Sequence, residues 1–127
     1  MLTEPLSDEQ INRLSVLALA SVGDSVFDLM VRTRLCRSGT AKARDLHLSR
    51  VDLVNARAQA QAAERLEPVL TEEEKAVLRR GRNARISYIP PSASRAEYQA
   101  ATALEALFGQ LYLRGRLERL KELFDVI

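Results

Sequence analysis

The sequence predicts an all-α domain built as a helical bundle, and three observations support this. Apolar residues recur at spacings of three and four along most of the chain, which is the period of an amphipathic helix. Two of these stretches begin with a capping signal, in which a Ser or Thr is followed three residues later by an acid, as at many helix starts. No alternation of apolar and polar residues persists long enough to predict a sheet.

The helices can be assigned in order along the chain. Ser7–Asp8 or Asn12 would cap the first helix, and Gly39 ends its region. Thr71 with Glu74 forms a capping box later in the chain. The predicted helices cover residues 11–35, 50–66, 71–80, 95–113 and 116–125. Ser49 and Asp52 form the capping pair of the second helix and Pro68 stops it, while Gly81 lies near the end of the third. A turn or short helix is predicted over 40–47, and a loop that contains tandem prolines over 83–94.

Composition narrows the class of protein. With 127 residues, 46% of them apolar, the chain fits one folded domain over residues 1–127. It has no run of apolar residues long enough for a membrane span, and its first residues lack the pattern of a signal peptide. Cys36 is the only cysteine, so we expect no disulfide and a reducing, cytoplasmic compartment. Because the chain has one Cys and one His, the usual zinc sites, which need several such ligands, are excluded.

Two acidic residues interrupt the most apolar predicted helices. Asp24 follows Gly23 in one of them, and Glu105 precedes Gly109 by four positions in the other. A glycine inside a helix costs about 1 kcal/mol relative to Ala, so each glycine indicates a close approach to the backbone. If the helices pack together, the two acids converge, and a divalent cation with oxygen ligands would neutralise them. The alternative is structural: Asp24 bonds to a helix end and Glu105 pairs with an arginine.

Positive charge is concentrated, although the net charge is only +2. The main cluster contains Arg79, Arg80, Arg82 and Arg85, and a looser set contains Lys42, Arg44, Arg50 and Arg57. Such clusters suggest an anionic partner, and the scarcity of aromatic residues, at 5%, favours a duplex over a stacked single strand. The alternative is a solvated helix end, where arginine also suits the helix dipole.

Two short motifs contain the acids Asp24 and Glu105. Residues 22–26 read Val-Gly-Asp-Ser-Val, and residues 103–112 read Ala-Leu-Glu-Ala-Leu-Phe-Gly-Gln-Leu-Tyr. The first motif resembles the Leu-Gly-Asp-Ala-Val signature of the ribonuclease III catalytic domain, and the second resembles that family's second acidic motif. The likeness to the short branch, mini-ribonuclease III, covers nearly the whole chain. It also includes residues 17–20, 45–47, 58–62, 70–74 and 79–84.

The resemblance implies a ribonuclease III-like, homodimeric endoribonuclease that cuts double-stranded RNA with Mg²⁺, or Mn²⁺ as a substitute. Asp24 and Glu105 would be its catalytic, metal-binding carboxylates, and Asp28 a candidate outer ligand whose alternative is a solvated or N–H-bonded acid. The RNA-binding residues would be Arg79, Arg80, Arg82, Asn83 and Arg85. In this branch the role is trimming the ends of the large-subunit ribosomal RNA precursor, with a ribosomal protein on the substrate as a further partner.

Two positions depart from the full-length family, because Ala20 and Thr102 stand where that family has acids. The short branch tends to share both changes, so they do not imply inactivity, but they leave the number of metal ions open. Because two of the four family acids are replaced, the alternative function is an inactive helical module that binds structured RNA, and Mg²⁺-dependent cleavage of duplex RNA would separate the two. For the dimer, the candidate packing face is Val22, Val26, Phe27 and Met30, unless these residues belong to the core.

Overall fold

A computed structural model describes residues 2–127 and is helical throughout, with no strand among them; Met1 of the predicted domain lies outside this range. The helices are α1 (Asp8–Asn12), α2 (Val16–Arg37), α3 (Ala43–Val54), α4 (Ala56–Leu66), α5 (Glu72–Arg82), α6 (Arg95–Leu113) and α7 (Leu117–Val126), and a 3₁₀ turn, Glu67–Val69, joins α4 to α5. The all-α prediction is confirmed. None of these helices is both long and apolar enough to cross a bilayer.

Helix α6 is the centre of the bundle and packs against α2, α4 and α5. Leu104 and Phe108 on α6 are fully buried. Phe27 of α2 meets the edge of Phe108 at a centroid distance of 5.4 Å and Phe124 of α7 at 5.8 Å, which joins three helices through one aromatic cluster. The bounds of α6 match the predicted helix, and Ser94 caps its start by accepting from the Glu97 amide.

The prediction of one helix over residues 11–35 was wrong, because two helices share this region. Ser7 caps the first of them in a capping box with Gln10. Ser15 has extended backbone, and its hydroxyl accepts a hydrogen bond from the Ala18 amide at 3.1 Å, so a new helix begins at Val16. The apolar spacing continues across this break, which is why the pattern alone did not indicate it.

The helix predicted over residues 50–66 was also wrong, because Asn55 divides it. The backbone of Asn55 is extended, and its side-chain oxygen accepts from the Ala58 amide. Its side-chain nitrogen donates to the carbonyls of Val51 and Asp52 at the end of α3. One side chain thus ends α3 and begins α4, while Ser49, predicted as a cap, lies inside α3.

Helix α5 begins at the predicted capping box of Thr71 and Glu74. Gly81 lies near the end of this helix, as predicted, but it is buried, and a Cβ there would collide with the backbone of Ala103 on α6. Gly81 therefore serves close helix packing. The carboxylate of Glu74 also accepts two hydrogen bonds from Arg119, at 2.9 and 2.7 Å, which ties α7 to the start of α5 and lowers the pKa of Glu74.

Helix α3 contains no buried residue. An ion pair between Arg50 and Asp28 of α2, at 3.2 Å, holds it against the bundle. Leu48 and Val51 on this helix are exposed, at 55% and 44% of their surface. The helix therefore has no fully buried side chain, and only the partly buried Val54 at its end packs against the core.

Candidate active site

The backbones of α2 and α6 touch where they cross. A Cβ on Gly23 would overlap the carbonyl of Glu105, and a Cβ on Gly109 would overlap the carbonyl of Leu19. The close approach predicted from the two glycines is therefore confirmed. Because Asp24 directly follows Gly23, and Glu105 is the residue whose carbonyl Gly23 faces, the crossing brings the two acids to the same place.

The two carboxylates line a cleft of about 850 Å³. Helices α2, α4 and α6 form three of its walls, and the loop before α6 forms the fourth. The polar and charged lining includes Asp24, Arg57, Gln59, Arg85, Tyr98 and Glu105. The tandem prolines keep the loop out of helical conformation, and Pro90 itself faces the cleft.

The environments of the two acids differ. Asp24 is exposed, which corrects the expectation that both acids lie inside the packed helices, while Glu105 is half-buried. Burial, together with the hydrogen bond and the charge of Asp24, raises the pKa of Glu105 to about 8, while the Gln59 amide opposes the rise. At neutral pH, without a cation, the pair therefore retains a proton on Glu105.

The two positions that depart from the full-length family also line this cleft. Ala20 is buried, and the hydroxyl of Thr102 donates to the Tyr98 carbonyl of its own helix at 3.0 Å. Within residues 2–127, no group of three or more His, Cys, Asp or Glu side chains lies close enough to hold a metal ion. The oxygen ligands of a cation would therefore come from Asp24 and Glu105, completed by water.

Asp28, the candidate outer ligand, is engaged elsewhere. It lies one helical turn after Asp24 and forms ion pairs with Arg32 and Arg50, both at 3.2 Å. It does not line the cleft. The structure therefore brings Asp24 and Glu105 together and leaves Asp28 in the contact between α2 and α3.

The predicted RNA-binding residues divide between two surfaces. Arg85 lines the cleft, whereas Arg79, Arg80 and Asn83 line a more open groove of about 550 Å³ beside the start of α2. Arg82 is half-buried and bonds to Glu67 at 3.1 Å. Four of the five residues are thus exposed to an anionic partner, and Arg82 is held within the molecule.

Sequence reasoning missed Gln59. This residue is 3% exposed and faces the cleft beside Glu105, on the stripe of α4 that also buries Ala62 and Ala63. The available signal was its spacing of three and four from these alanines, which indicates a polar side chain on the buried face of a helix.

Glu105→Gln is expected to stabilise the cation-free protein at alkaline pH. Because the folded-state pKa, about 8, lies above the ordinary 4.5, the unfolded chain releases this proton first, and stability falls as pH rises between the two values. A glutamine side chain does not ionise, so the variant avoids this loss of stability. We expect a melting temperature roughly 4 °C higher than that of the parent at about pH 9 in EDTA, and little change near pH 5.

The matched control for this measurement is Glu118→Gln, the same change at an exposed position of α7. It should leave the melting temperature nearly unchanged at both pH values. An effect of Glu105→Gln that is equal at acidic and alkaline pH would contradict the raised pKa.

The chain is similar to known proteins over most of its length. The family model described as "Ribonuclease III domain" matches residues 17–116, a range that contains both carboxylates. The Mini-ribonuclease 3 of Symbiobacterium thermophilum is 47% identical over 112 residues, which cover 88% of this chain and 86% of that protein. The Mini-ribonuclease 3 of a Thermoanaerobacter species is 40% identical over 124 residues, covering 98% of this chain and 87% of that protein.

A solved structure has the same fold. The crystal structure of a protein from Fusobacterium nucleatum superposes with a TM-score of 0.84 at 31% identity. The match covers 92% of this chain and 93% of the other. The arrangement of helices that builds the cleft is therefore shared with an experimentally determined structure.

Proposed function

This chain belongs to the ribonuclease III family and is an endoribonuclease, and on that premise we propose that it cleaves double-stranded RNA in the cleft that holds Asp24 and Glu105. The observation that carries the proposal is the meeting of these two carboxylates at the contact between α2 and α6. Arg57 and Arg85 line the same cleft and supply positive charge for the phosphates of the substrate.

The donor set of the site fits Mg²⁺, with Mn²⁺ as a substitute. The two carboxylates are close enough for Asp24 to raise the pKa of Glu105, and neither forms an ion pair with a basic side chain in the described part of the chain. Mg²⁺ takes hard oxygen ligands and commonly only one or two carboxylates. When bound, the cation would lower the pKa of an attacking water and offset the charge of the phosphoryl oxygens.

The chain's own residues would hold and orient the reacting groups. Asp24, which is exposed, can reach the phosphodiester directly, while Glu105 is held by the packing of α6. Because the main chains of both helices are in contact, the backbone positions that carry the two carboxylates stay fixed while the substrate binds. Arg57 and Arg85 would position the backbone of the duplex beside them.

The test of the proposed function is a cleavage assay on long duplex RNA with Mg²⁺ and with EDTA. We expect cleavage only with the cation. RNA binding without cleavage at any Mg²⁺ or Mn²⁺ concentration would favour the alternative, an inactive module for structured RNA.

Arg85→Ala is expected to weaken RNA binding more than Arg82→Ala. Arg85 is exposed at the cleft, whereas Arg82 must leave Glu67 before it can contact a phosphate. Loss of one phosphate contact should reduce the slope of log affinity against log salt by about 1 for Arg85→Ala and by clearly less for Arg82→Ala. Filter binding with cation-free protein over a series of salt concentrations measures both slopes.

The control for the charge change is Arg37→Ala, at the exposed end of α2 and outside both grooves. An unchanged slope for Arg85→Ala would mean that this arginine is only solvated and does not contact RNA.

We also propose a homodimer in which each active site cuts one strand. Each chain offers one Asp24–Glu105 pair, while the substrate has two strands. Of the predicted packing face, Phe27 is 2% exposed and belongs to the core, whereas Leu29 on the same helix is 60% exposed. Exposed Leu48 and Val51 on neighbouring α3 extend the apolar surface that a symmetric partner would cover.

Leu29→Glu is expected to dissociate the dimer and leave the monomer folded. A C₂ interface places the same residue on both subunits, so one substitution introduces two buried charges. Sedimentation at micromolar concentration should show half the parent's mass, with an unchanged circular dichroism spectrum. Gln61→Glu, at an exposed position of α4 rather than on the Leu29 face of α2, serves as the control. A parent protein that sediments as a monomer and cuts both strands would contradict the proposal.

The natural substrate that we propose is the duplex stem at the ends of the large-subunit ribosomal RNA precursor. The similarity to proteins named Mini-ribonuclease 3 supports this choice. Incubation with the precursor, with and without its bound ribosomal proteins, should give cuts confined to that stem. Equal cutting of unrelated duplexes under the same conditions would count against this substrate.

A further inference from the structure

Gln59 is a buried polar residue whose side-chain donor makes no hydrogen bond of regular geometry. The side chain is 3% exposed, and its Nε2 finds no hydrogen-bond partner among residues 2–127. A buried donor without a partner destabilises a protein, because it loses its hydrogen bonds to water without replacing them. Glu74 and Thr102, which are similarly buried, differ in this respect, because Arg119 donates to Glu74 and Thr102 donates to a backbone carbonyl.

The position itself favours an apolar side chain. Gln59 shares one face of α4 with Ala62, Ala63 and Leu66, all of which are fully buried. A leucine or methionine there would continue the stripe and remove the unsatisfied donor. Packing therefore gives no reason for an amide at this position, and the reason must lie in what the amide faces.

The amide faces the catalytic cleft. Gln59 lines it together with Asp24 and Glu105, and its side chain interacts with the Glu105 carboxyl. Gln59 is 3% exposed, so the surrounding helices confine its amide, whereas Glu105 is only half-buried and its carboxylate has more room to rotate. The fixed group can therefore orient the rotatable one.

We propose that Gln59 is a positioning residue, whose Nε2 donates a hydrogen bond to the Glu105 carboxylate and orients it toward the cation. The inference rests on the proposed function, since it assumes that Glu105 binds the cation. Partners that hold a metal-binding carboxylate change metal affinity or activity by about 10–100-fold when they are removed. We expect a change of that size for the loss of the amide.

The test compares Gln59→Met and Gln59→Leu, which keep the bulk of the side chain and remove the donor. The matched control is Gln110→Met, because Gln110 is also a buried glutamine but lies outside the cleft. The first measurement uses RNA-free protein: the melting temperature is followed against Mg²⁺ concentration. The second is the dependence of kcat and KM on Mg²⁺ with duplex RNA.

Both Gln59 variants should melt in EDTA no lower than the parent, because they lose an unsatisfied donor. The Mg²⁺ concentration for half-maximal stabilisation should rise about tenfold or more. kcat should fall at limiting Mg²⁺ and recover at high Mg²⁺, while KM for RNA stays unchanged. Gln110→Met should leave the Mg²⁺ dependence as it is in the parent.

Two results would overturn the role of Gln59 and leave the proposed function standing. One is an Mg²⁺ dependence of the Gln59 variants equal to that of Gln110→Met. The other is failure of both Gln59 variants to fold, which would make the residue structural. The Asp24→Asn variant distinguishes failure of the Gln59 inference from failure of the proposed function. If Asp24→Asn keeps the parent's Mg²⁺-dependent stabilisation, the cation does not bind at this pair, and both proposals fall.

Discussion

Asp24→Asn is expected to lower the rate of duplex cleavage by at least about a thousandfold and to leave the fold intact. The substitution keeps the size of the side chain and removes the charge that would hold the cation. Because Asp24 is exposed in the cleft, the change opens no cavity in the core. Single-turnover cleavage of duplex RNA at saturating Mg²⁺, with circular dichroism and thermal unfolding, measures both effects.

The control is Asp28→Asn, the same chemical change one turn later on α2. Asp28 pairs with Arg32 and Arg50, so its loss should weaken the attachment of α3 and leave most of the activity. An equally large loss of activity in Asp28→Asn would instead support its role as an outer ligand. Near-parental turnover of Asp24→Asn would rule out the proposed site. Glu105→Gln should resemble Asp24→Asn, with partial rescue by Mn²⁺, which binds such ligands more tightly than Mg²⁺.

Gly23→Ala is expected to cause a large loss of stability, although it adds only one methyl group. The added Cβ would overlap the carbonyl of Glu105, so α2 and α6 would have to separate along the central packing of the bundle. We expect a loss of about 3 kcal/mol or more in the free energy of unfolding, since backbone cannot move aside as a flexible side chain can. Urea denaturation monitored by circular dichroism measures this.

Ser25→Ala, two positions later and exposed, is the comparison for Gly23→Ala. It should stay within about 0.5 kcal/mol of the parent. If Gly23→Ala were as stable as Ser25→Ala, the two helices would not be in backbone contact at the crossing. In that case the placement of the two carboxylates would need another explanation.

The sequence was a good guide where local chemistry and packing agree. The bounds of α6 could be predicted because tandem prolines precede it and a long apolar run fills it. Glycines beside Asp24 and Glu105 predicted the helix contact, since an interior glycine is unfavourable unless a backbone approaches it. The pairing of the two acids followed from that contact, and it is the core of the candidate site.

Features that depend on tertiary surroundings could not be predicted in this way. Ser15 and Asn55 break two predicted helices, but either residue could equally lie inside a helix with its side chain in solvent. The exposure of Asp24 depends on a cleft that three helices and a loop form together. Gln59 is far from both acidic motifs in sequence, and only the packing of α4 on α6 brings it to the site.

The absence of buried side chains on α3 bears on how the protein opens. Exchange of backbone amides with solvent reports local opening, and segments with few buried contacts open at free energies far below that of global unfolding. Helix α3 is thus the segment from which exchange should begin, ahead of α2, α4 and α6. Val54 and Asn55 at its end belong to the cleft wall, while Asp24 and Glu105 do not depend on it. Local opening of α3 would therefore widen the mouth of the cleft and leave the contact between α2 and α6, which carries Asp24 and Glu105, in place.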